Sequence, residues 1–352
     1  MQTDYLIVGQ GLAGSLLALE LIQRNCKVVI IDNGDENASQ VAAGIINPIT
    51  GLRFVKSVEI ENLLPAAKAC YDQLSCYFKS TFYIEKPMLR IFRSEAEAKA
   101  CLYRRNNPDY HAYISTTSLP NQSPKAVKTP FGGIFQQQTG YLLTTHLLNY
   151  LKDFFIANGY YRGENFNYAD LKTHPVLQWQ SLVPKRVIFC EGYQMINNPW
   201  FSWLPLRPVK GEILTLQSST KVPDHLLNYG NWLLPLDNQQ FRIGATFERE
   251  NINTWPTKQG QSTLIDNLKS ISSNLAAATI TRQQANIRPC TADRQPFIGH
   301  HPQISQLSIF NGFGAKGSLQ IPWFSQQFAN ALLTGTPLTK SCNIKRYYAS
   351  HF

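Results

Sequence analysis

The stretch from Ile7 to Gly14, with the sequence IVGQGLAG, lies almost at the start of the chain and decides the fold. Asp32 follows Gly9 after 23 residues, at the end of the apolar run VVII. The order of strand, glycine turn, helix, strand and acid is the full context of a dinucleotide-binding βαβ unit. There the second glycine lets the backbone approach a pyrophosphate, and the helix N-terminus stabilises its charge. The pattern predicts a bound adenine dinucleotide, without distinguishing FAD from NAD.

Composition narrows the class of protein. The 352 residues suffice for two domains, or for one domain with a large insertion, and 43% of them are hydrophobic. No apolar run approaches the ~18 residues of a membrane span. The first strand begins by residue 4, so we expect no signal peptide and a cytoplasmic location. Seven cysteines without a C-x-x-C pair are expected to be reduced thiols.

The net charge of +10 suits an acidic ligand, whether a pyrophosphate, a carboxylate or a nucleic acid. The basic residues are scattered, and the one basic-aromatic stretch, KRYY at 345–348, is expected to be a solvated tail. His300 and His301 have no third ligand at a sensible spacing, so no metal site is expected.

The remaining pattern predicts helices over 59–78, 94–105, 142–158 and 318–333. It predicts a buried strand at 186–190, a strand pair around Pro87 over 81–92, and antiparallel strands over 206–216 and 232–247. A second glycine cluster, GFGAKG at 312–317, follows a strand at 307–310. The dinucleotide-binding fold is therefore built from the two ends of the chain and a middle segment, with the antiparallel strands interleaved.

Several segments together resemble the D-amino-acid oxidase superfamily of FAD-dependent amine oxidoreductases, the branch with glycine oxidase, sarcosine oxidase and D-amino-acid dehydrogenase. They run in the family's order over nearly the whole chain. The segments are 9–14, 39–48, 187–192, 206–212, 243–246, 287–289, 293–299 and 312–322.

The resemblance implies an α/β fold, with a Rossmann-type FAD-binding domain and a discontinuous antiparallel-sheet substrate domain. The expected FAD-binding domain comprises residues 1–58, 140–206 and 286–352. The substrate domain comprises residues 59–139 and 207–285. FAD is implied in preference to NAD.

The resemblance also implies the residues around the cofactor. They are Gly9, Gly11, Leu12, Ala13, Gly14, Asp32, Asn33, Ser39, Gln40, Ala43, Gly44, Ile45, Phe166, Gly192, Gly312, Phe313, Gly314, Ala315, Lys316, Gly317 and Ser318. Backbone N–H groups of the second glycine cluster are expected to face the flavin N1–C2=O edge, with charge added by Lys316.

Four departures from the family pattern stand out. Asp32 replaces the commoner Glu, and Glu191 replaces a small residue. The arginine that the glycine-oxidase branch has near Ala315 is missing, which puts a simple glycine-oxidase identity in doubt. Asn286 matches the position where the sarcosine-oxidase branch links its flavin through cysteine, so non-covalent FAD is expected.

Flavin-dependent amine oxidation removes a hydride from carbon and needs little acid–base machinery, so no side chain is assigned as catalytic. By resemblance, Arg288 is expected to bind a substrate carboxylate, because its guanidinium fork matches a carboxylate bidentately. Trp232 matches an aromatic lid over the substrate. Arg242 falls near a basic residue that faces flavin in the sarcosine-oxidase branch.

Three functions stay open. The first is oxidation of a small amino acid or secondary amine, with oxygen or a quinone as electron acceptor. The second is flavin-dependent modification of a tRNA wobble uridine, in which a carboxymethyl group is removed from an amine. The third is a non-catalytic flavin-binding subunit of a larger dehydrogenase. We expect a small-molecule substrate and not nucleic acid, because no sustained basic stripe with stacking aromatics is present.

Overall fold

The computed structural model describes residues 1–118 and 127–351. Its helices are α1 (Leu12–Gln23), α2 (Ala38–Val41), α3 (Ile60–Phe78), α4 (Glu95–Arg105), α5 (Thr144–Ala157), α6 (Lys258–Ile271), α7 (Ser273–Ala276) and α8 (Gly317–Thr334). Short 3-10 helices cover Pro108–Tyr110, Tyr168–Asp170, Gly192–Asn197 and Ile344–Ser350.

The strands belong to five sheets. They are β1 (Gln2–Val8), β2 (Val28–Asp32), β3 (Ile45–Ile46), β4 (Ile49–Thr50), β5 (Val55–Lys56), β6 (Tyr83–Glu85), β7 (Met88–Ile91), β8 (Ile114–Ser118), β9 (Gly133–Gln136), β10 (Gly140–Leu142), β11 (Tyr161–Gly163), β12 (Leu171–Lys172), β13 (Gln178–Trp179), β14 (Val183–Phe189), β15 (Val209–Gln217), β16 (Leu226–Asn228), β17 (Trp232–Pro235), β18 (Gln240–Gly244), β19 (Thr279–Arg288), β20 (Phe297–His300) and β21 (Leu307–Asn311).

The N-terminal motif builds the first large sheet, in the order β11-β2-β1-β14-β21-β20. Its strands run parallel except β20, which is antiparallel to β21. Because successive side chains alternate between faces, Ile7 and Ile30 enter the core shared with α1, α5 and α8, whereas Leu6 and Val29 enter the core with Trp179. Both faces are covered, as in a Rossmann-type sheet, and the predicted α/β fold is confirmed.

The second large sheet has the order β19-β15-β18-β17-β16-β7-β9-β8. One of its faces packs against α6 through Leu214, Leu233 and Ile243, which share a core with Leu264 and Leu268. The opposite face carries the alternate residues of the same strands, including Arg288 and Trp232. The sheet therefore turns one face toward the dinucleotide-binding part of the chain.

The predicted strand pair over 81–92 is wrong in its pairing. Strands β6 and β7 form on either side of Pro87, but β6 joins the sheet β3-β10-β6, and β7 pairs with β16 and β9 of the large sheet. Local alternation indicated the strands, whereas their partners lie far away in the chain.

Helix α3, which the prediction assigns to the substrate domain, packs against α8. The Tyr71 hydroxyl donates to the Ser318 carbonyl at 2.7 Å, and both helices share one core. The domain boundaries stay a prediction.

The C-terminal stretch is not a solvated tail. Arg346 donates to Asp293 at 2.8 Å and lies over the ring of Phe297, with its guanidinium carbon 5.5 Å from the centroid. The hydroxyl of Tyr348 donates to the His300 carbonyl. The stretch therefore closes one side of the dinucleotide-binding sheet.

Candidate active site

The first glycine cluster shows which of its glycines the chain itself requires. Gly9 has φ of +102°, and a Cβ there would lie 2.6 Å from the Cys190 carbonyl oxygen. A Cβ on Gly14 would lie 1.9 Å from the Gly9 carbonyl oxygen. A Cβ on Gly11 would meet the Ser39 Oγ at an ordinary 3.5 Å. Gly9 and Gly14 therefore serve close packing, whereas a side chain at Gly11 would make only ordinary contacts with Ser39 and Asn37.

The start of α1 has backbone amides that are free to donate hydrogen bonds. The Leu12 amide donates to Ser39 Oγ at 3.1 Å. Within the described ranges, the amides of Ala13 and Gly14 have no hydrogen-bond acceptor. Free amides at a helix N-terminus fit a pyrophosphate.

Asp32 lies where the ribose of a bound dinucleotide is expected. Its carboxylate accepts the Gln10 amide at 2.7 Å and the Gly34 amide at 2.8 Å. These two bonds fix the carboxylate beside the glycine turn, where a ribose hydroxyl would donate to its remaining lone pairs. Asn33 is exposed and bonds the side chain of Asp35.

Residues 39–45 form a wall that leads from α2 to β3. Ser39 and Gln40 lie on α2, and Ala43 is buried. Gly44 has φ of +67°, and a Cβ there would lie 2.0 Å from the Leu142 carbonyl oxygen. Ile45 then pairs with Tyr141 in the small sheet. The glycine lets the wall pass directly over β10.

The second glycine cluster runs from β21 into α8. Gly312 and Gly314 have φ of +81° and +54°. In residues 127–351 the amides of Gly317 and Ser318, the first two of α8, have no acceptor. Phe313 is buried and Ala315 exposed. This helix start is therefore a second donor group with a positive dipole end.

Glu191 has a structural explanation that the sequence did not provide. Its carboxylate accepts the Tyr168 hydroxyl at 2.6 Å and the Asn198 Nδ2 at 2.8 Å. Burial raises its pKa to about 7. The neighbouring Gly192 has φ of +58°, and its carbonyl accepts a hydrogen bond from Asn311 Nδ2. Phe166 stacks on Trp179, with centroids 4.9 Å apart, at the edge of the same core.

Arg288 ends β19 on the face turned toward the dinucleotide-binding part. Its Nη2 donates to the Thr246 carbonyl at 3.2 Å, and no carboxylate of the described residues pairs with it. A Cβ on Gly211 would lie 2.0 Å from this Nη2, so the glycine makes room for the guanidinium. Burial lowers the pKa of Arg288. Asp293 does not pair with Arg288, because its carboxylate bonds Arg346.

Trp232 and Arg242 lie on the same sheet face. Trp232 pairs with Gly244 across β17 and β18, and a Cβ on that glycine would lie 2.4 Å from the indole. Arg242 donates to the carbonyls of Val41 and Ala42, at 2.6 and 3.3 Å. Burial lowers its pKa to about 10. Arg242 therefore holds the 39–45 wall in place through these two hydrogen bonds. It also lines a cavity of about 320 Å³.

Lys316 lies at the N-cap of α8 and reaches across to another segment. Its Nζ donates to the buried Ser57 Oγ at 3.0 Å. Burial, and then the nearby Arg294, lower its pKa.

Asn286 lies at the position that matches the flavin-linking cysteine of the sarcosine-oxidase branch, and Cys290 lies four residues later. The Asn286 side chain donates to the Glu36 carbonyl at 3.2 Å, which keeps it beside the 33–40 segment. A Cβ on Gly314 would lie 3.3 Å from the Cys290 Sγ. All seven cysteines are free.

Sequence reasoning missed Gly211, Gly244, Thr246 and Ser57 as site residues. Gly211 and Gly244 stood inside matched segments, and isolated glycines within strand patterns signal close approach of another group. Nothing in the local sequence around Ser57 indicates its contact with Lys316.

Among the described residues, no helix combines the length and apolar character that crossing a bilayer requires.

Comparisons with known proteins agree with this geometry. Glycine oxidase of Bacillus licheniformis is 22% identical over 95% of this chain and 94% of its own. A tRNA 5-methylaminomethyl-2-thiouridine biosynthesis bifunctional protein of Marinobacter nauticus is 23% identical over 93% of this chain, which spans 55% of that protein. The crystal structure of glycine oxidase from Geobacillus kaustophilus superposes with a TM-score of 0.82, at 20% identity over 96% of each chain.

That superposition shows the fold. A family model described as FAD dependent oxidoreductase matches residues 4–331, nearly the whole chain. The two glycine clusters and their free helix amides lie within this match. The protein therefore belongs to the D-amino-acid oxidase family of FAD-dependent oxidoreductases.

Proposed function

We propose that the protein oxidises the C–N bond of a small amino acid or N-substituted amino acid. The observation that carries the proposal is Arg288, a largely buried guanidinium without a carboxylate partner in the described residues. A buried cation lacking an anion is costly, and a substrate carboxylate would compensate for it bidentately.

The chain's residues fit non-covalent FAD. The backbone at Gly11 and the free amides of Ala13 and Gly14 would hold its pyrophosphate, and Asp32 its ribose. The amides of Gly317 and Ser318 would hold the flavin edge, where negative charge develops. When bound, FAD accepts a hydride from the carbon that bears the amine.

The substrate side of the reaction needs positioning more than acid–base catalysis. Arg288 fixes the carboxylate, and Trp232 covers the amine-bearing carbon and excludes water. The substrate would lose a hydride from the carbon beside the neutral amine and a proton from the nitrogen, and so become an imine. Water would hydrolyse the imine to a carbonyl compound and ammonia or an amine. Oxygen or a quinone would finally accept the two electrons.

Anaerobic bleaching of the flavin absorbance tests the proposal. The panel contains D-amino acids, N-methyl amino acids, glycine and proline. At least one should reduce the flavin completely. If none does, the enzyme does not act on a free small amino acid.

Modification of tRNA is a second candidate, supported by the relative from Marinobacter nauticus and by the charge of +10. Its substrate also ends in a carboxylate, so Arg288 does not discriminate between the two. Binding of total tRNA at two salt concentrations does discriminate, because phosphate contacts weaken steeply with salt. Tight, salt-sensitive binding without reduction by any amine would favour this candidate.

A further inference from the structure

Lys316 and Arg288 stand on adjoining segments. The Gly314 amide donates to the Pro289 carbonyl at 3.1 Å, so the second glycine cluster runs beside the end of β19. Arg288 precedes that contact by one residue, and Lys316 follows it by two. Two partly buried cations thus flank one loop.

No carboxylate within residues 1–118 and 127–351 pairs with either cation. Lys316 has only the neutral Ser57 Oγ as side-chain partner, and no ion pair of the described residues includes Lys316, Arg288 or Arg294. The nearest carboxylate in sequence, Asp293, is held by Arg346 at 2.8 Å. Such an excess of positive charge in a partly buried site attracts an anionic ligand.

The Lys316 ammonium is also held by a segment remote in the chain. Ser57 lies on the segment after β5 and is buried, and its amide donates to the Pro48 carbonyl at 2.9 Å. The ammonium group is therefore fixed at the junction of the 48–57 segment and the glycine cluster. The start of α8 adds its positive dipole end there.

We propose that Lys316, positioned by Ser57, binds a second anionic group of the substrate, so that the preferred substrate is an amine carrying two carboxylates. Arg288 takes the carboxylate beside the oxidised carbon, and Lys316 takes the distal one. An ammonium is a point charge on a flexible stem, suited to a distal carboxylate of variable reach. This inference rests on the proposed function.

Binding of non-oxidisable analogues tests it without turnover. The FAD-loaded protein is titrated with malonate, succinate and glutarate, and with acetate, propionate and butyrate, and flavin spectral perturbation gives each Kd. At least one dicarboxylate should bind tenfold or more tightly than its monocarboxylate counterpart. In Lys316→Met, and in Lys316→Gln should the first variant fold poorly, this preference should vanish, because the Kd of the dicarboxylates should rise far more than the Kd of the monocarboxylates.

Two further variants control the measurement. Ser57→Ala should lose part of the preference, because the ammonium is no longer held. Lys269→Met removes an exposed lysine of α6 and should keep the full preference.

Kinetics separates this inference from the proposed function. Iminodiacetate and both enantiomers of aspartate and glutamate are compared with glycine, sarcosine and alanine. The kcat/KM advantage of the dicarboxylates should fall at least tenfold in Lys316→Met, mainly through KM. Equal use of both classes by the wild type, or an equal loss for both in the variant, would overturn the second carboxylate site and leave amine oxidation standing. No reduction by any compound would instead refute the proposed function.

Discussion

Arg288 carries the most direct prediction about substrate binding. Arg288→Ala should raise KM about 30-fold or more with FAD still bound, because losing a buried charge-assisted pair costs roughly 2–5 kcal/mol. Arg288→Lys should recover only part of this, since an ammonium lacks the planar fork. Arg282→Ala, an exposed arginine on the same strand, is the matched control and should leave KM unchanged. Unchanged kinetics in Arg288→Ala would contradict the assignment.

Glu191 should make stability depend on pH. Its pKa rises from the ordinary 4.5 to about 7 in the folded protein, so the folded state binds the proton more tightly than the unfolded chain does. Its contribution is therefore fully present below pH 4.5 and is lost as the pH rises toward 7. Glu191→Gln, which mimics the neutral form, should raise Tm relative to the wild type at pH 8 but not at pH 4. The expected gain is roughly 1–3 kcal/mol. Parallel pH profiles would show that Glu191 titrates normally.

The turn between β1 and α1 separates packing from ligand binding. Gly14→Ala should destabilise the protein even without FAD, by about 1–3 kcal/mol or more, because its Cβ would lie 1.9 Å from the Gly9 carbonyl oxygen. Gly11→Val should keep the stability of the FAD-free protein, because a Cβ there makes only ordinary contacts. It should lose FAD affinity, because the added side chain would obstruct the approach of the pyrophosphate to the backbone. Urea unfolding and FAD titration measure the two effects. Full FAD occupancy in Gly11→Val would mean that the pyrophosphate does not bind beside Gly11.

For the whole molecule, non-covalent FAD should act as a stabilising ligand. Acid precipitation should leave the flavin in the supernatant, since Asn286 stands at the linkage position. Removal of FAD should lower Tm, and adding it at about 100 times Kd should restore about 2.7 kcal/mol. Flavin that remains with the precipitated chain would contradict non-covalent binding.

Sequence alone was enough to predict the β1-α1-β2 unit, a bound adenine dinucleotide and the start of α8, whereas FAD was implied by the resemblance over nearly the whole chain. The N-terminal unit is a local feature: its glycines, its apolar alternation and its terminal acid lie within about one βαβ unit of each other. The same locality explains the two errors. Strands β6 and β7 find partners remote in sequence, and the 345–348 stretch packs on Phe297, which no local pattern signals.

The side-chain contacts around Lys316, Arg288 and Glu191 became known only from the tertiary structure. Lys316 meets Ser57 across 259 positions of the chain, and Arg288 occupies space that only Gly211 leaves free. Glu191 obtains its partners from a 3-10 turn and from Asn198. Such contacts depend on strand register and on how the two large sheets meet. These are set by the burial of whole faces, which the residues around any one position do not encode.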